Sequence, residues 1–338
     1  MGTSVRRVDE ALAQRSLTRR KVMRIDEILR VKRPCFSFEF FPPKSDEGVT
    51  ALLDTAATLR ALSPSFVSVT YGAGGGTRAR TLEIVKTLKT DLGIEGVAHI
   101  TSIGATVEQV RSLLTDVEAA GVENILALRG DPRPGEVASN NGDGFEHAAD
   151  LIRFARKDFD FCVGAACHPE KHLEAPDAVT DIRHLSDKVD AGAQFLISQL
   201  FFDNDIFLSF VGRARRAGID VPIIPGIMPI TNFEQIQRFT SMCGATIPER
   251  LLHRLSEFRD EPEAIIQFGV AYATLQCVDL IARGVNAIHF YTLNKSPATR
   301  AVVSALYAAA PWESSVGRRY VQGGDALVEA ALSTADLN

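Results

Sequence analysis

Residues 35–48 have the sequence CFSFEFFPPKSDEG, in which a short apolar, β-rich run leads through two prolines into a helix-forming segment. A strand followed directly by a helix is the unit of both an α/β barrel and an open, doubly wound sheet. The open sheet that binds dinucleotides has a GxGxxG turn at this point, whereas this chain has FPPKSDEG. The first strand–helix unit therefore favours the barrel over its main rival.

The same alternation continues along the chain. TVEQVRSLLTDVEAAG, from Thr106, has the apolar spacing of an amphipathic helix, and Gly121, Gly192 and Gly218 stand where helices should end. Eight strand–helix units predict an α/β fold, a single (β/α)8 TIM barrel over residues 34–310. Two or three helices are predicted between the last two strands. The further strand candidates are residues 66–70, 96–101, 124–128, 161–166, 195–202, 221–227 and 287–291.

The predicted barrel is flanked by residues 1–33 and 311–338. The N-terminal segment combines arginines with acidic residues and lacks the apolar core of a secretory signal, so we expect a solvated helical extension. An organelle-targeting role is the less favoured alternative. The C-terminal segment has no ninth strand signal and is expected to pack outside the barrel or to fray. Because we find no apolar run long enough to span a bilayer, we expect a cytoplasmic protein without a membrane partner.

Composition narrows the class of protein further. The 338 residues are 46% hydrophobic and 23% charged, which is typical of a globular chain. The net charge of -5 supplies no basic surplus for nucleic acid, so no nucleic-acid partner is expected. Five dispersed cysteines without a CxxC pair predict free, buried thiols in a reducing compartment, with neither a disulfide framework nor a structural zinc site.

Polar side chains interrupt the apolar strands where a barrel would carry its chemistry, at the strand ends. Side chains alternate along a strand, so Ser37 and Glu39 share one face of the first strand, while three phenylalanines share the face that should meet the helices. Glu39 is predicted to project into the barrel mouth, where desolvation would raise its pKa and suit it to act as a general acid. A structural ion pair with an interior Lys or Arg is the alternative.

The same alternation directs five more polar side chains into the barrel mouth. Any one of them could instead be a core residue with a satisfied polar tip, but five at one rim are harder to explain in that way. Their convergence predicts a functional site at this end of the barrel. These residues are Thr70, His99, Thr101, Gln199 and Tyr291.

Three loop motifs carry weaker signals. Residues 71–81, YGAGGGTRART, could cradle an anion but lack the GKS or GKT ending of a phosphate loop. LRGDP, at residues 128–132, places an arginine, a glycine and an aspartate at the end of the fourth strand. His168 and His172 of HPEKH are four residues apart, but Pro169 disfavours the helix that a zinc pair would need. We therefore predict no metal site.

Seven blocks occur together and in order: FSFEFFPPK, FVSVTYGAGGGTR, AHIT, ALRGDP, KVDAGAQFLISQLFFD, IIPGIMPITNF and HFYTLN. From Phe36 to Asn294 the chain resembles the methylenetetrahydrofolate reductase family. The resemblance implies a barrel with FAD at its carboxyl rim, reduced by a nicotinamide dinucleotide and reoxidised by 5,10-methylenetetrahydrofolate in a ping-pong cycle. It also implies a 5-methyltetrahydrofolate product that feeds methionine synthesis, and a homo-oligomer.

The resemblance assigns catalytic roles to Glu39 and Asp131. Glu39 would be the general acid that opens the five-membered ring of the folate, and Asp131 would stabilise the cationic iminium ion that results. Gln199 and Phe239 would meet both folate and nicotinamide, and Lys295 stands where an arginine is expected. The implied substrate-binding residues are Gln199, Phe239, Tyr291 and Lys295.

The resemblance also assigns the flavin contacts, with departures from the better-known members. His147 and His168 replace tyrosines, His184 replaces an asparagine, and Asp187 replaces a basic residue near the flavin phosphates. The last exchange should weaken phosphate binding, although Lys188 and backbone amides remain. The implied cofactor-binding residues are Thr70, His99, Arg129, Gly130, His147, Ala148, His168, His172, Asp181, His184, Lys188, Ala193 and Ile197.

Two alternative functions stay open at this point. One is a flavin-free barrel that passes hydride directly from nicotinamide to folate, and the other is a catalytically idle barrel that binds folate. The choice between NADH and NADPH is also open, because no arginine pair obviously awaits a 2′-phosphate. Resemblance to bacterial members favours NADH.

Overall fold

The computed structural model describes residues 24–71, 78–130 and 144–313. Each strand pairs in parallel with the next, and the last pairs with the first, so that the sheet closes into a barrel. The predicted (β/α)8 barrel is confirmed, and the doubly wound open sheet is wrong. The strands are β1 Cys35–Phe40, β2 Phe66–Val69, β3 Gly96–Thr101, β4 Asn124–Leu128, β5 Cys162–Cys167, β6 Phe195–Leu200, β7 Ile223–Ile227 and β8 Ala287–Tyr291.

The helices between the strands follow the predicted pattern. Gly121, Gly192 and Gly218 end their helices with φ angles of 72°, 116° and 82°, which a residue with a side chain rarely adopts. Three helices lie between β7 and β8, as predicted. The described helices are α1 Ile25–Val31, α2 Asp46–Arg60, α3 Arg78–Thr90, α4 Val107–Ala119, α5 Ala148–Asp158, α6 Ala178–Asp190, α7 Asn204–Arg216, α8 Phe233–Cys243, α9 Glu249–Glu257, α10 Pro262–Ala282 and α11 Pro297–Ala309.

The aromatic face of β1 points outwards, as the strand alternation predicts. Phe36, Phe38 and Phe40 are almost fully buried and belong to the cluster that contains Leu52 and Ala56 of α2. Burying a phenylalanine side chain contributes about 1.5–3 kcal/mol. The layer between sheet and helices is therefore the main core, and it leaves the opposite face of β1 to line the barrel.

The lower interior of the barrel is filled by side chains rather than open. The rings of Phe66 and Phe195 lie with their centroids 6.4 Å apart. A Cβ atom at Gly164 would lie 2.3 Å from Cζ of Phe195, so glycine at this position makes room for the ring. This packed layer is the floor beneath the carboxyl ends of the strands.

Helix α1 closes the amino-terminal end of the barrel. Ile25 and Ile28 are 0% and 5% exposed and pack against the interior cluster, and the backbone N–H of Ile25 donates to Oδ1 of Asn124 at 2.9 Å. The prediction that residues 1–33 form a solvated extension is therefore wrong for this helix. Residues 1–23 lie outside the described part of the chain.

Helix α10 contradicts the expectation that the chain has no apolar run long enough to span a bilayer. Among the described helices, Pro262–Ala282 is long and apolar enough to cross a membrane by length and composition alone. It also packs within the fold, where Ala273, Cys277 and Leu280 are buried in the core. A Cβ atom at Gly269 would lie 1.9 Å from the carbonyl oxygen of Ile230, so the glycine lets the helix pack closely against the segment that follows β7.

The free thiols and the start of the C-terminal segment match the sequence predictions. All five cysteines are unpaired, and four of them are buried. Trp312 packs outside the barrel, with its ring centroid 5.7 Å from that of Tyr307 and 6.0 Å from that of Phe36. Residues 314–338 lie outside the described part of the chain.

Candidate active site

A cavity of about 1270 Å³ opens at the carboxyl ends of the strands. Glu39 lies at the end of β1 and lines it, as the alternation along that strand predicts. The five other polar residues predicted to face the barrel mouth line the same cavity. They are Thr70, His99, Thr101, Gln199 and Tyr291.

Glu39 is held between two histidines. Its Oε2 atom lies 3.5 Å from Nε2 of His99 and 3.5 Å from Nε2 of His289, and its side chain is 19% exposed. Burial pushes its pKa upward. A hydrogen bond from His289, the charges of the two histidines and a hydrogen bond from Ser68 together outweigh burial, so the pKa of Glu39 lies below its usual value. The predicted rise in the pKa of Glu39 is therefore wrong. The alternative, an ion pair with an interior Lys or Arg, is also wrong in its partner, because the carboxylate contacts two histidines.

His289 is the main site residue that the sequence analysis missed. It is fully buried beneath Glu39, and its Nδ1 atom lies 2.8 Å from Oγ of Ser37 while Nε2 lies 3.4 Å from Oγ of Ser68. Its ring stacks on Phe66 with the centroids 6.0 Å apart. The strand alternation that selects the last residue of β8 also selects His289 two positions earlier, so the signal was present in HFYTLN.

His99 lies at the cavity wall and loses its proton more readily than a free histidine. Burial lowers its pKa to about 4, with the charge of Glu39 opposing this shift and that of His289 adding to it. Its Nε2 atom is buried and makes no hydrogen bond within the described part of the chain. Its contact with Glu39, at 3.5 Å, is too poorly aligned to count as a hydrogen bond, so His99 is suited to bind a polar group of a ligand.

Tyr291 and Gln199 are fixed by neighbouring backbone. The hydroxyl of Tyr291 donates to the carbonyl oxygen of Ser198 at 2.6 Å. A Cβ atom at Gly226 would lie 2.5 Å from Cε2 of Tyr291, so this glycine allows the ring to lie across β7. Gln199 sits at a register shift between β6 and β7, and its Oε1 accepts from the N–H of Leu200 at 2.8 Å.

Four histidines, His147, His168, His172 and His184, form one side of the cavity, which we call the histidine wall. The rings of His168 and His172 meet edge to face with centroids 4.7 Å apart, and those of His147 and His184 stack with centroids 6.4 Å apart. Burial lowers the pKa of His168 to about 3, helped by the positive charge of Lys188 and by His172. Burial also lowers the pKa of His172.

The cations beside the histidine wall have partners within the protein. Nη1 and Nη2 of Arg129 bind the two carboxylate oxygens of Glu174 at 2.5 and 2.8 Å. Nζ of Lys188 donates to the carbonyl oxygen of Ala166 at 3.0 Å, and burial lowers the pKa of this lysine. Both cations therefore lie at the cavity, although each already has a partner.

The HPEKH loop is tied to the loop between α8 and α9. The N–H and hydroxyl of Thr246 donate to the carboxylate of Glu170 at 2.8 and 2.5 Å. Nη2 of Arg213 donates to the carbonyl oxygen of Pro169 at 3.1 Å. Within residues 24–71, 78–130 and 144–313, no cluster of three or more His, Cys, Asp or Glu side chains could hold a metal ion.

Three predicted binding residues lie away from the cavity lining. Phe239 is half-buried on α8, Lys295 is exposed beyond β8, and Ala193 is buried in the core before β6. Asp131 lies outside the described residues. The other predicted cofactor-binding residues line the cavity with Thr70 and His99, namely Arg129, Gly130, His147, Ala148, His168, His172, Asp181, His184, Lys188 and Ile197.

Comparison with known proteins identifies the family of this chain. The sequence model described as methylenetetrahydrofolate reductase matches residues 24–307. The chain belongs to the methylenetetrahydrofolate reductase family. It is 40% identical over 271 residues to the 5,10-methylenetetrahydrofolate reductase of Escherichia coli (strain K12), covering 80% of this chain and 90% of that protein.

The plant relatives are longer. The chain is 38% identical over 285 residues to a probable methylenetetrahydrofolate reductase (NADH) of Oryza sativa subsp. japonica, covering 81% of this chain and 48% of that protein. It thus spans about half the length of the plant relatives that it matches.

A solved structure supports the fold. It is that of an uncharacterized protein from Clostridium thermocellum that binds two copies of 5-methyl-5,6,7,8-tetrahydrofolic acid. The TM-score is 0.54 at 15% identity, covering 83% of this chain and 96% of that one.

Proposed function

We propose that this protein reduces 5,10-methylenetetrahydrofolate to 5-methyltetrahydrofolate, with FAD as cofactor and NADH as hydride donor. The observation that carries the proposal is the position of Glu39, a carboxyl group at the base of a large cavity, in a chain of this family. The plant relatives are named for NADH, which supports that donor over NADPH. In this proposal the enzyme is a cytoplasmic homo-oligomer whose product supplies methionine synthesis.

The cavity fits FAD in size and in the groups it offers. Its volume of about 1270 Å³ exceeds the roughly 300–1,000 Å³ of an ordinary small-molecule pocket. Nε2 of His99 makes no hydrogen bond within the described residues and can accept one from a ligand, and Gly130, with φ of 87°, lets the backbone approach a ligand closely. Thr70 and His99 would hold one end of the cofactor, and Arg129 and Lys188 would bind its anionic groups. When bound, FAD supplies a carrier that accepts hydride from NADH and returns it to the folate.

Glu39 would supply the proton that the reduction needs. Protonation of N10 opens the five-membered ring and leaves a 5-iminium ion, and addition of hydride to its carbon gives the methyl group. Each turnover thus consumes one hydride and one proton. Bound substrates would cover the 19% of the Glu39 side chain that is exposed. The added desolvation would raise its pKa and so favour the protonated form that donates the proton. Asp131, outside the described residues, remains the proposed carboxylate that stabilises the cation.

The remaining residues of the mouth would hold the two substrates in turn. Gln199 and Phe239 would contact whichever of nicotinamide and folate is bound, which requires a ping-pong cycle. Tyr291 and Lys295 would contact the folate alone. Phe239 does not line the cavity, but it packs against the same apolar cluster as Tyr291, which supports a position close to the mouth.

Anaerobic visible spectroscopy of the purified full chain tests the proposal. We expect a flavin absorbance that bleaches with NADH and returns when methylenetetrahydrofolate is added. In Glu39→Gln, bleaching should persist, while the return should slow by about 10²–10⁴-fold, the usual contribution of a general acid. Glu118→Gln, on the exposed side of α4, is the matched control and should behave like the unmodified protein.

Three results would contradict parts of this scheme. Unchanged folate reduction in Glu39→Gln would remove the acid role of that residue. Folate reduction without any flavin band, even after FAD is supplied, would indicate direct hydride transfer. Binding of 5-methyltetrahydrofolate without turnover would indicate a folate-binding barrel that is not an enzyme.

A further inference from the structure

The loop that follows β8 contains two consecutive residues with a left-handed backbone conformation. The φ angles of Leu293 and Asn294 are 51° and 58°, which residues with a side chain rarely adopt. Asparagine tolerates this conformation better than leucine does. Backbone strain of this kind persists only where the surrounding structure fixes it. The turn is therefore held in place by its contacts with neighbouring segments.

The turn brings the side chain of Asn294 to the end of β1. The N–H of Phe41 donates to Oδ1 of Asn294 at 2.9 Å, and Nδ2 of Asn294 donates to the carbonyl oxygen of Phe41 at 2.8 Å. The regular pairing of β1 with β8 ends at Glu39 and Tyr291, and Pro42 has no N–H with which to continue it. The amide of Asn294 thus takes the place of one more strand residue and satisfies both backbone groups of Phe41.

The same loop holds the backbone of Glu39. Oγ1 of Thr292 donates to the carbonyl oxygen of Glu39 at 2.6 Å and accepts from the N–H of Asn294 at 3.2 Å. The two histidines beside Glu39 contact its carboxylate, whereas Thr292 contacts the main chain that carries it. The end of β1 is therefore held by one loop at two residues, Glu39 and Phe41.

The contacts between Asn294 and Phe41 lie at the surface of the protein. The Phe41 side chain is 45% exposed, and both hydrogen bonds to Asn294 are open to solvent. Hydrogen bonds that exchange with water contribute little net stability, although they still define a geometry. Loss of the Asn294 amide should thus leave the barrel folded while the end of β1 gains freedom.

We propose that Asn294 is a positioning residue for folate reduction, which acts by fixing the end of β1 and so the place from which Glu39 delivers its proton. The inference rests on the proposed function, which makes Glu39 the acid. An acid must lie within hydrogen-bond reach of the atom that it protonates. A displacement of about 1 Å can lower a rate by about 10²-fold. Reduction of the flavin by NADH does not use this proton, so it does not depend on Asn294.

Stopped-flow spectroscopy of the full chain loaded with FAD measures the two steps separately under anaerobic conditions. One rate is the bleaching of the flavin by NADH, and the other is its return with saturating methylenetetrahydrofolate. Asn294→Gly removes both hydrogen bonds to Phe41 but allows the left-handed turn. We expect the folate step to slow by about 10- to 100-fold. The NADH step should change by no more than about twofold.

A double variant tests whether Asn294 acts through Glu39. In the Glu39→Gln background the acid is already missing, so its position no longer affects the rate. Adding Asn294→Gly to Glu39→Gln should therefore slow the folate step by no more than about twofold, far less than it does in the unmodified protein.

Thr292 gives an independent test with a conservative rescue, which is needed if Asn294→Gly does not fold. Thr292→Val removes the hydroxyl that donates to Glu39, so it should slow the folate step and spare the NADH step. Thr292→Ser keeps a hydroxyl at the same position. Its folate step should therefore return to within about twofold of the unmodified rate.

Asn204→Ala is the matched control for the loss of an amide that joins distant segments. Nδ2 of Asn204 donates to the carbonyl oxygen of Gln276 at 3.0 Å and to Oδ2 of Asp279 at 2.7 Å. Asn204 begins α7 and is not among the residues that line the cavity. Both steps should keep the unmodified rates within about twofold.

Each remaining outcome overturns a defined statement. Unchanged rates in Asn294→Gly overturn the inference and leave the proposed function intact. Equal slowing of both steps shows a general structural role and also overturns it, as does a full additional loss in the Glu39→Gln background. An unmodified protein whose reduced flavin is not reoxidised by the folate overturns the proposed function together with the inference.

Discussion

His289 connects Glu39 to the interior of the barrel. Through its two ring nitrogens it contacts Ser37 and Ser68 as well as the Glu39 carboxylate. A hydrogen bond to a charged group contributes about 1.5–3 kcal/mol, so the contact with His289 favours the ionised form of Glu39. A side chain that a ligand need not touch thus opposes the effect of burial on Glu39 and helps to keep its carboxyl group ionised.

Replacement of this histidine should shift the pH dependence of folate reduction. In His289→Gln the carboxylate of Glu39 loses the imidazole that stabilises its charge, so its pKa should rise. The rate of flavin reoxidation by the folate, measured against pH in single-turnover experiments, should then stay high to a more alkaline pH. Ser37→Ala keeps the imidazole and should shift the profile less. A profile that is unchanged or moves towards acid pH would show that His289 does not set this pKa.

The sequence located the residues of the site better than it described their properties. Alternation along single strands is a local rule, and it placed Glu39 and His99 correctly. The pKa of Glu39 depends on distances between β1, β3 and β8, which no single strand specifies. The sequence argument considered burial alone, so it predicted the wrong direction.

Helix α1 shows how a charged segment can still be part of the core. Nη1 of Arg24 binds Oδ1 of Asp160 at 2.9 Å, and Nε2 of Gln194 donates to Oδ2 of Asp26 at 3.0 Å. From the sequence alone these charges indicate a solvated helix, because their partners lie more than a hundred residues away. The strand–helix alternation was predictable, since it repeats locally, whereas the placement of α1 was not.

Shortening a buried side chain of α1 should destabilise the whole barrel. Ile28 is 5% exposed and packs on the interior cluster, so Ile28→Ala should lower the free energy of unfolding by about 2–5 kcal/mol. Val31, at the end of the same helix, is 72% exposed, and Val31→Ala should change it by less than about 0.5 kcal/mol. Urea unfolding followed by circular dichroism measures both. Equal effects of the two variants would mean that α1 does not close the barrel in solution.

The protein contains one buried and one half-buried histidine, His99 and His168, whose pKa values lie well below that of a free histidine. The pKa is about 4 for His99 and about 3 for His168, each below the usual value of 6.5. Below that usual value, the unfolded chain binds protons that the folded chain does not. Their contribution to stability is therefore fully present at higher pH and is lost as the pH falls from about 6.5 towards the folded-state values.

Acid should destabilise the protein before its carboxylates titrate. Each of the two histidines should lower the free energy of unfolding by up to about 1.4 kcal/mol per pH unit below about pH 6. Urea unfolding at pH 7, 6 and 5 would measure this loss as a free energy of unfolding that decreases at each step. His168→Tyr should have a flatter pH dependence than the unmodified protein. The same pH dependence of the free energy of unfolding in both proteins would show that His168 does not contribute to the acid sensitivity.

The hydrogen bonds between Glu170 and Thr246 have a mechanical consequence. Glu170 lies in the loop that carries His168 and His172, and Thr246 follows the helix that carries Phe239. The two segments are far apart along the chain, yet these hydrogen bonds hold them together. A displacement of the segment after α8 is thereby transmitted to the loop that carries His168 and His172.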